Sequence, residues 1–429
     1  MYRPRTVLRR ILQSSLFRAA GIYGTANLLR QAVPVLLVPV LTRYLTPEDY
    51  GTTAVFGVLA SVLVPLTGLS MHAAVSRKYF DREEIDLPSY VYTCLCIIAA
   101  ATALVAAVVW IASGPIASLS EVPRGWLWAA VVVATAQTLI NVLLGLLQNA
   151  KRAVQFGAIQ VGRTAAITLM SVLLVVGFGL GWRGSVSAQV FGACLFTAIA
   201  LYMLGRAGWM KPRFDRRYAR HALSFGLPLV PYTLTAVLAQ TVDRLFVTHH
   251  EGLAKTGLYA LGYQLGALIG LLEDSFNRAF QPWLFEQLKA GAPGSHRRLV
   301  LFTYAYFAGI LSIALGLGIA APLILSVVAP ERYSGAHVHV VWIAVGFAFS
   351  GMYKMVTGYI FFAERTSVLP FLSVAQAAVS IGLNMVLVPR YGAIGAAYST
   401  TAAFFTLFVV GWIMSARVYP MPWLLGGKR

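Results

Sequence analysis

The sequence predicts an all-α polytopic membrane protein, with twelve transmembrane helices arranged as two pseudo-symmetric six-helix lobes. Three observations predict it. Apolar windows of about twenty residues, the length that crosses hydrocarbon, recur from one end of the chain to the other. Only 11% of residues are charged and 58% are hydrophobic, whereas a soluble domain carries about 25% charged residues to coat its surface. Stretches of the first half reappear in the second at nearly constant spacing.

The elements follow in chain order. Residues 1–17 contain no acid, and Leu8, Ile11, Leu12 and Leu16 recur at helical spacing between Arg9, Arg10 and Gln13. That pattern predicts an amphipathic helix lying on an anionic leaflet. An Arg-rich transit peptide is the alternative for the same composition. Spans are expected at 18–41, 51–75, 89–113, 126–149, 157–180, 185–207, 223–247, 257–283, 299–328, 337–362, 367–388 and 393–417. They make an N-lobe over 18–207 and a C-lobe over 223–417, joined by a basic linker at 208–222 and followed by a tail at 418–429. Pro34, Pro39, Pro65 and Pro231 fall inside spans, where they are expected to kink the helix while neighbours satisfy the freed carbonyls. Cys94, Cys96 and Cys194 sit in apolar segments and read as small packing residues.

The net charge of +19 invites a nucleic-acid reading, but its distribution argues otherwise. With the N-terminus inside, 23 Lys and Arg fall in the inner loops and tails and 6 in the outer loops. That imbalance is the positive-inside signature, so both termini are expected in the cytoplasm and no nucleic-acid partner is implied.

The lobes rest on an internal repeat. "LTRYLTPEDYGTTAVFG" (41–57) aligns with "VTHHEGLAKTGLYALGY" (247–263) at an offset of 206, setting Gly51 over Gly257. "GWRGSVSA" (181–188) aligns with "GAIGAAYS" (392–399) at 211, and Arg152 with Arg365 at 213. Six helices per repeat give both halves the same topology, related by an axis along the membrane normal. That geometry suits a transporter with a cavity between two lobes.

Three stretches carry a family resemblance: "VPVLTRYLTPEDYG" (38–51), "TVDRLFVTHHEGLAKTGLYALGYQLG" (241–266) with "FNRAFQPWLFE" (276–286), and "ERTSVLPFLSVAQAAVSIGLNMVLVPRYGAIGAAYSTTAAF" (364–404). In their order they are similar to the polysaccharide-biosynthesis flippases (Wzx type) of the multidrug/oligosaccharidyl-lipid/polysaccharide exporter superfamily. The resemblance implies a two-lobed fold of the multidrug-exporter kind in a bacterial inner membrane. It also implies an undecaprenyl-pyrophosphate-linked oligosaccharide as cargo, moved from inner to outer leaflet for O-antigen, capsule or exopolysaccharide. A polysaccharide polymerase and chain-length machinery are the implied protein partners, beside membrane lipids.

Five cations lie inside or at the edge of spans: Arg30, Arg163, Arg244, Arg278 and Lys354. Ionisable residues at bilayer depth point to function. Arg30, deep in "LLRQAVPVLL", is read as a clamp for pyrophosphate with Asn27 and Gln31 as added donors; a pair with Asp243 is the alternative. Lys354 is either a second cationic site or the partner of Glu273 or Asp274. Arg163 and Arg278 are expected near the inner face, where they snorkel to headgroups and meet the pyrophosphate on entry. Asp243 and Arg244 read as an interfacial cap or interlobe salt bridge closing an outer gate, with proton coupling as the other reading. Glu273 and Asp274, adjacent acids, make a proton or Na⁺ coupling site or pair with Lys354 or Arg278. His249 and His250 belong to an outer loop and lack further metal ligands.

No GxxxxGK[ST] motif occurs, so no nucleotide or other cofactor is implied and a proton or sodium gradient is the expected drive. Two other functions compete. A drug/cation antiporter requires a net-anionic cavity, against a span tally here of five cations and three acids. A membrane polymerase or glycosyltransferase needs a catalytic outer loop, and the longest one, about 113–125, holds only Glu121 and Arg124.

Overall fold

In the computed structural model the described residues are 15–290, 294–365 and 368–423, with side chains described from Ile22 onward apart from Tyr23 and Ala26. The predicted amphipathic segment 1–17 lies outside them except for the helical backbone of Ser15–Phe17. The described chain is helical throughout, without strand. The predicted spans are largely helical among the described residues, but 51–75 breaks at Leu69 and Ser70, both at positive φ, and 223–247 breaks between Gly226 and Leu229.

Nine helices of the described residues are long and apolar enough to cross a membrane, ten if the bent pair Arg216–Gly226 and Leu229–Ala290 counts as one. The predicted first, seventh and eighth spans are not among the nine. They are the segments that carry Arg30, Asp243 with Arg244, and Glu273 with Asp274 and Arg278. The polar residues that lower their hydropathy include the ones singled out above as functional.

The chain divides into two compact units. Unit 1 comprises residues 1–45 and 56–234, and unit 2 residues 46–55 and 235–429. The division thus falls after Leu234 instead of inside the basic linker, and unit 2 takes a short piece of early chain.

Unit 1 contains α1 (Ser15–Leu36), α2 (Val38–Tyr44), most of α3 (Pro47–Gly68), α4 (Met71–Lys78), α5 (Leu87–Ile111), α6 (Ser113–Ser120), α7 (Leu127–Asn149), α8 (Ala153–Val172), α9 (Gly181–Arg206) and α10 (Arg216–Gly226). Helix α9 packs on α7 and α8, α1 on α8, and α4 and α5 on α7. Met71, Tyr90, Val91, Leu143 and Leu146 lie at the centre of its core. Unit 2 contains most of α11 (Leu229–Gly266), then α12 (Leu268–Ala290), α13 (Ser295–Val328), α14 (His337–Phe362), α15 (Leu369–Tyr391) and α16 (Ala393–Val418). Here α14 is central, packing on α12, α13 and α16, around Leu284, Met355, Val356 and Tyr359.

Local chemistry explains the boundaries. Helix α3 starts at Pro47, earlier than its apolar run, because Thr46 and Asp49 form a reciprocal capping box: Asp49 N–H donates to Thr46 Oγ1 and Thr46 N–H to the Asp49 carboxylate, both at 3.1 Å. Two of the expected kinks are helix starts instead. Pro39 lies in the first turn of α2 and Pro231 in the first turn of α11, where a missing N–H leaves no helical carbonyl unpaired. The expected outer loop around His249 shrinks to one residue, Gly252, at φ 80°. The two histidines are exposed at the end of the preceding helix, and no metal-competent cluster occurs among the described residues. Beside them the Glu251 carboxylate accepts the Ala393 N–H at the start of α16, a favourable place for an anion.

The repeat has a structural counterpart inside unit 2. A Cβ on Gly51 would stand 2.0 Å from the Leu253 carbonyl oxygen, and one on Gly257 1.8 Å from that of Pro47. Gly51 aligns with Gly257 and Pro47 with Leu253, so the contact is reciprocal between equivalent residues, as across a local two-fold axis. Backbones meet directly because neither glycine has a side chain. Replacing Gly257 by alanine is expected to destabilise the protein by about 2 kcal/mol through overpacking. Thermal unfolding in detergent reads this, and an unchanged midpoint would refute the contact.

Candidate functional site

Three polar clusters occupy the spans. The first, in unit 1, is built from α1, α7 and α8. Gln160 donates to Asn27 Oδ1 at 3.2 Å, Arg163 Nη1 to the Gln137 side-chain oxygen, and Gln137 Nε2 to Asn141 Oδ1 at 2.7 Å. Arg163 therefore does not snorkel as expected. Helix α8 begins at Ala153, before the predicted boundary, which sets Arg163 ten residues in, about 15 Å along the axis. Its guanidinium turns onto α7 instead. Its Nε is buried without an acceptor among the described residues.

Arg30 is exposed on α1, the helix that packs on α8 and its Arg163. Among the described residues neither arginine makes a salt bridge. The composition explains why: the acids of unit 1 are Asp81, Glu83, Glu84, Asp86, Glu121 and Asp215, all outside the spans. Glutamine and asparagine oxygens orient guanidinium without cancelling its charge. Two cations thus stand on packed helices, Arg163 bonded to an amide and neither to an acid, and a divalent anion is the ligand that would neutralise both. Asn27 takes part through Gln160, while Gln31 is half-buried beside the cluster. Gln137, Asn141 and Gln160 were not singled out from sequence, although "TAQTLIN" (135–141) places two amides a helical turn apart in an otherwise apolar span.

The second cluster, in unit 2, joins α12 and α14. Lys354 Nζ lies 3.1 Å from Glu273 Oε1 and also bonds Asp274. The acid-pairing alternative for Lys354 is the arrangement found. Ser350, one turn before Lys354, donates to the same Glu273 oxygen at 3.0 Å. Glu273 is 2% exposed, and its Oε2 has no partner among the described residues; the same is true of Tyr306 Oη and Asn277 Oδ1. A Cβ on Gly351 would come within 2.9 Å of Glu273 Oε2 and 2.7 Å of Tyr306 Oη, so that glycine leaves both oxygens their room. Arg278 is exposed one turn beyond Asp274 and makes no salt bridge among the described residues.

The third cluster closes on itself within unit 2. Buried Asp243 accepts the Tyr259 hydroxyl and, at 2.8 Å, the Arg244 backbone N–H. The Arg244 guanidinium stands 3.8 Å from Asp243 and 4.3 Å from the centre of the Tyr263 ring, a cation–π contact. The Tyr50 hydroxyl donates to Gln264, the residue after Tyr263. All these partners belong to one unit.

Comparison with known proteins adds a family and a fold. The pattern described as polysaccharide biosynthesis protein matches residues 16–288. Protein 1 of the Lsg locus of Haemophilus influenzae is 23% identical over 405 residues, 88% of this chain and 94% of that protein. Among solved structures, the lipid II flippase MurJ in an inward closed conformation aligns at TM-score 0.73 and 15% identity, over 95% of this chain and 88% of that one. An inward-facing multidrug resistance MATE family transporter of the MOP superfamily aligns at 0.63 and 14%, over 92% and 94%. These likenesses show the fold.

Proposed function

The chain belongs to the polysaccharide biosynthesis protein family, and on that premise we propose that it flips an undecaprenyl-pyrophosphate-linked oligosaccharide across the bacterial inner membrane by alternating access. The observation that carries the reading is the placing of Arg30 and amide-bonded Arg163 on two packed helices of a unit whose spans hold no acid. A pyrophosphate brings about two negative charges, each able to take a charge-assisted hydrogen bond from a guanidinium. The polyprenyl tail stays in lipid meanwhile, and the sugars need only a polar path. A drug/cation antiporter would want the opposite charge at this place, and an enzyme would want a catalytic constellation there.

In this reading Arg278 meets the headgroup at entry and Lys354 is shared between cargo and acids. Glu273, Asp274 and Lys354 hold two acids against one base, leaving room for one further cation, and H⁺ or Na⁺ from the gradient is the coupling ion we assign to it. The neutral Asp243–Arg244 pair serves as a gate. Both termini are assigned to the cytoplasm, and the product is handed to a polymerase and its chain-length machinery outside.

Reconstituted protein and labelled lipid-linked oligosaccharide test the function. Lectin access to the sugar on the far leaflet should appear with the protein and not with empty vesicles. Cells lacking the protein should retain the oligosaccharide on the cytoplasmic face and lose surface polymer. Efflux of cationic dyes in place of sugar translocation would favour the antiporter and overturn the proposal.

A further inference from the structure

Residues 208–226 are tied down along their length. The Trp209 ring lies under the Arg152 guanidinium at 5.0 Å, and Asp215 N–H donates to Thr93 Oγ1 at 3.1 Å. Asp86 N–H donates to Tyr218 Oη at 3.2 Å, while Tyr90 Oη and His221 Nδ1 are 3.1 Å apart. At the far end a Cβ on Gly226 would fall 2.3 Å from the Leu69 carbonyl oxygen. Ala219, Ala222 and Gly226 thus press one face of α10 onto unit 1.

The other face is a ridge of charge. Arg206, Lys211, Arg213, Arg216, Arg217 and Arg220 are exposed, and none forms a salt bridge among the described residues. Asp215 is the sole acid between Glu121 and Asp243. Its carboxylate is spent as the N-cap of α10, accepting Arg217 N–H at 2.7 Å. Apolar side chains stand beside the cations: Phe214 is 55% exposed, Phe225 38% and Leu227 49%. A span ends at Arg206 and the helix after α10 starts at Leu229, so this short segment joins two spans, where headgroups meet acyl chains.

We propose that α10 and the residues leading into it form a rigid binding surface for anionic phospholipid headgroups, with Phe214, Phe225 and Leu227 seated among the upper acyl carbons. A soluble acidic partner would not call for exposed rings at the membrane boundary, whereas an interfacial helix combines both features. Because the cations are already held by unit 1, little ordering entropy opposes lipid capture. The surface is independent of the cargo site, and its test contains no cargo.

The test uses the purified full chain in neutral detergent, with phosphatidylglycerol, phosphatidylcholine, inorganic phosphate or an acidic peptide added in turn. Phosphatidylglycerol alone should raise the thermal midpoint, and native mass spectrometry should show it retained over phosphatidylcholine. At about 1 kcal/mol for each basic residue near an anionic surface, the triple variant R216Q/R217Q/R220Q should lose this preference roughly a hundredfold. R297Q/R298Q, elsewhere on the chain, should keep it. If the glutamine variant unfolds in phosphatidylcholine, R216K/R217K/R220K takes its place and should retain the preference. Equal stabilisation by inorganic phosphate or by an acidic peptide, or an undiminished preference in the glutamine variant, would overturn the proposal.

Discussion

The double variant Arg30→Gln/Arg163→Gln is expected to abolish sugar translocation while the protein accumulates normally in the membrane. A hydrogen bond to a charged group contributes about 1.5–3 kcal/mol, so each single substitution should lower transport roughly tenfold to a hundredfold and the pair by the product. Normal accumulation follows because neither arginine makes a salt bridge among the described residues and the spans of unit 1 hold no acid, so removing them strands no carboxylate there. Gln137→Glu is the sharper companion. It keeps the shape of a side chain that already accepts from Arg163, yet places a negative charge against one of the two cations. That variant should fold and fail to transport. Vesicle assays with lectin readout measure both. Full activity in Gln137→Glu would show that the pair does not meet an anion.

A comparable effect, on stability, is expected at Lys354. Replacing it by methionine leaves Glu273, 2% exposed, without its counter-charge. Breaking a buried pair from one side costs about 3–5 kcal/mol, and the lower end is expected here because Lys354 is itself 30% exposed. Thermal unfolding in detergent should fall accordingly, and adding Glu273→Gln should restore most of the loss because the stranded charge is gone. Transport by the restored double variant then separates two roles. Activity would mean that Lys354 serves the acids alone. Inactivity would mean that the cargo or the coupling ion also needs the charged pair. No recovery of stability in the double variant would refute the ion-pair account.

Hydropathy is a local property, and what depends on it was legible in the residues. Nine of the twelve spans follow from apolar windows of about twenty residues, while the three that carry the embedded charges fall short of that hydropathy. The repeat also was legible, since like sequences fold alike. Side-chain partnership is not local. Arg163 could be placed on a helix from its neighbours, but which helix it faces depends on how α7 and α8 rotate against one another. Only packing turned it from a snorkelling anchor into a partner of Gln137. The same holds for Lys354, whose two alternatives were equal on paper until α12 and α14 came together. Gly51 and Gly257 show both sides. Their equivalence was written in the repeat, but their mutual contact, which no side chain could occupy, exists only where the two helices cross. Composition settled the membrane and the absence of acids from the spans of unit 1. Helix packing, which answers to shape across hundreds of residues, settled which polar groups share a site.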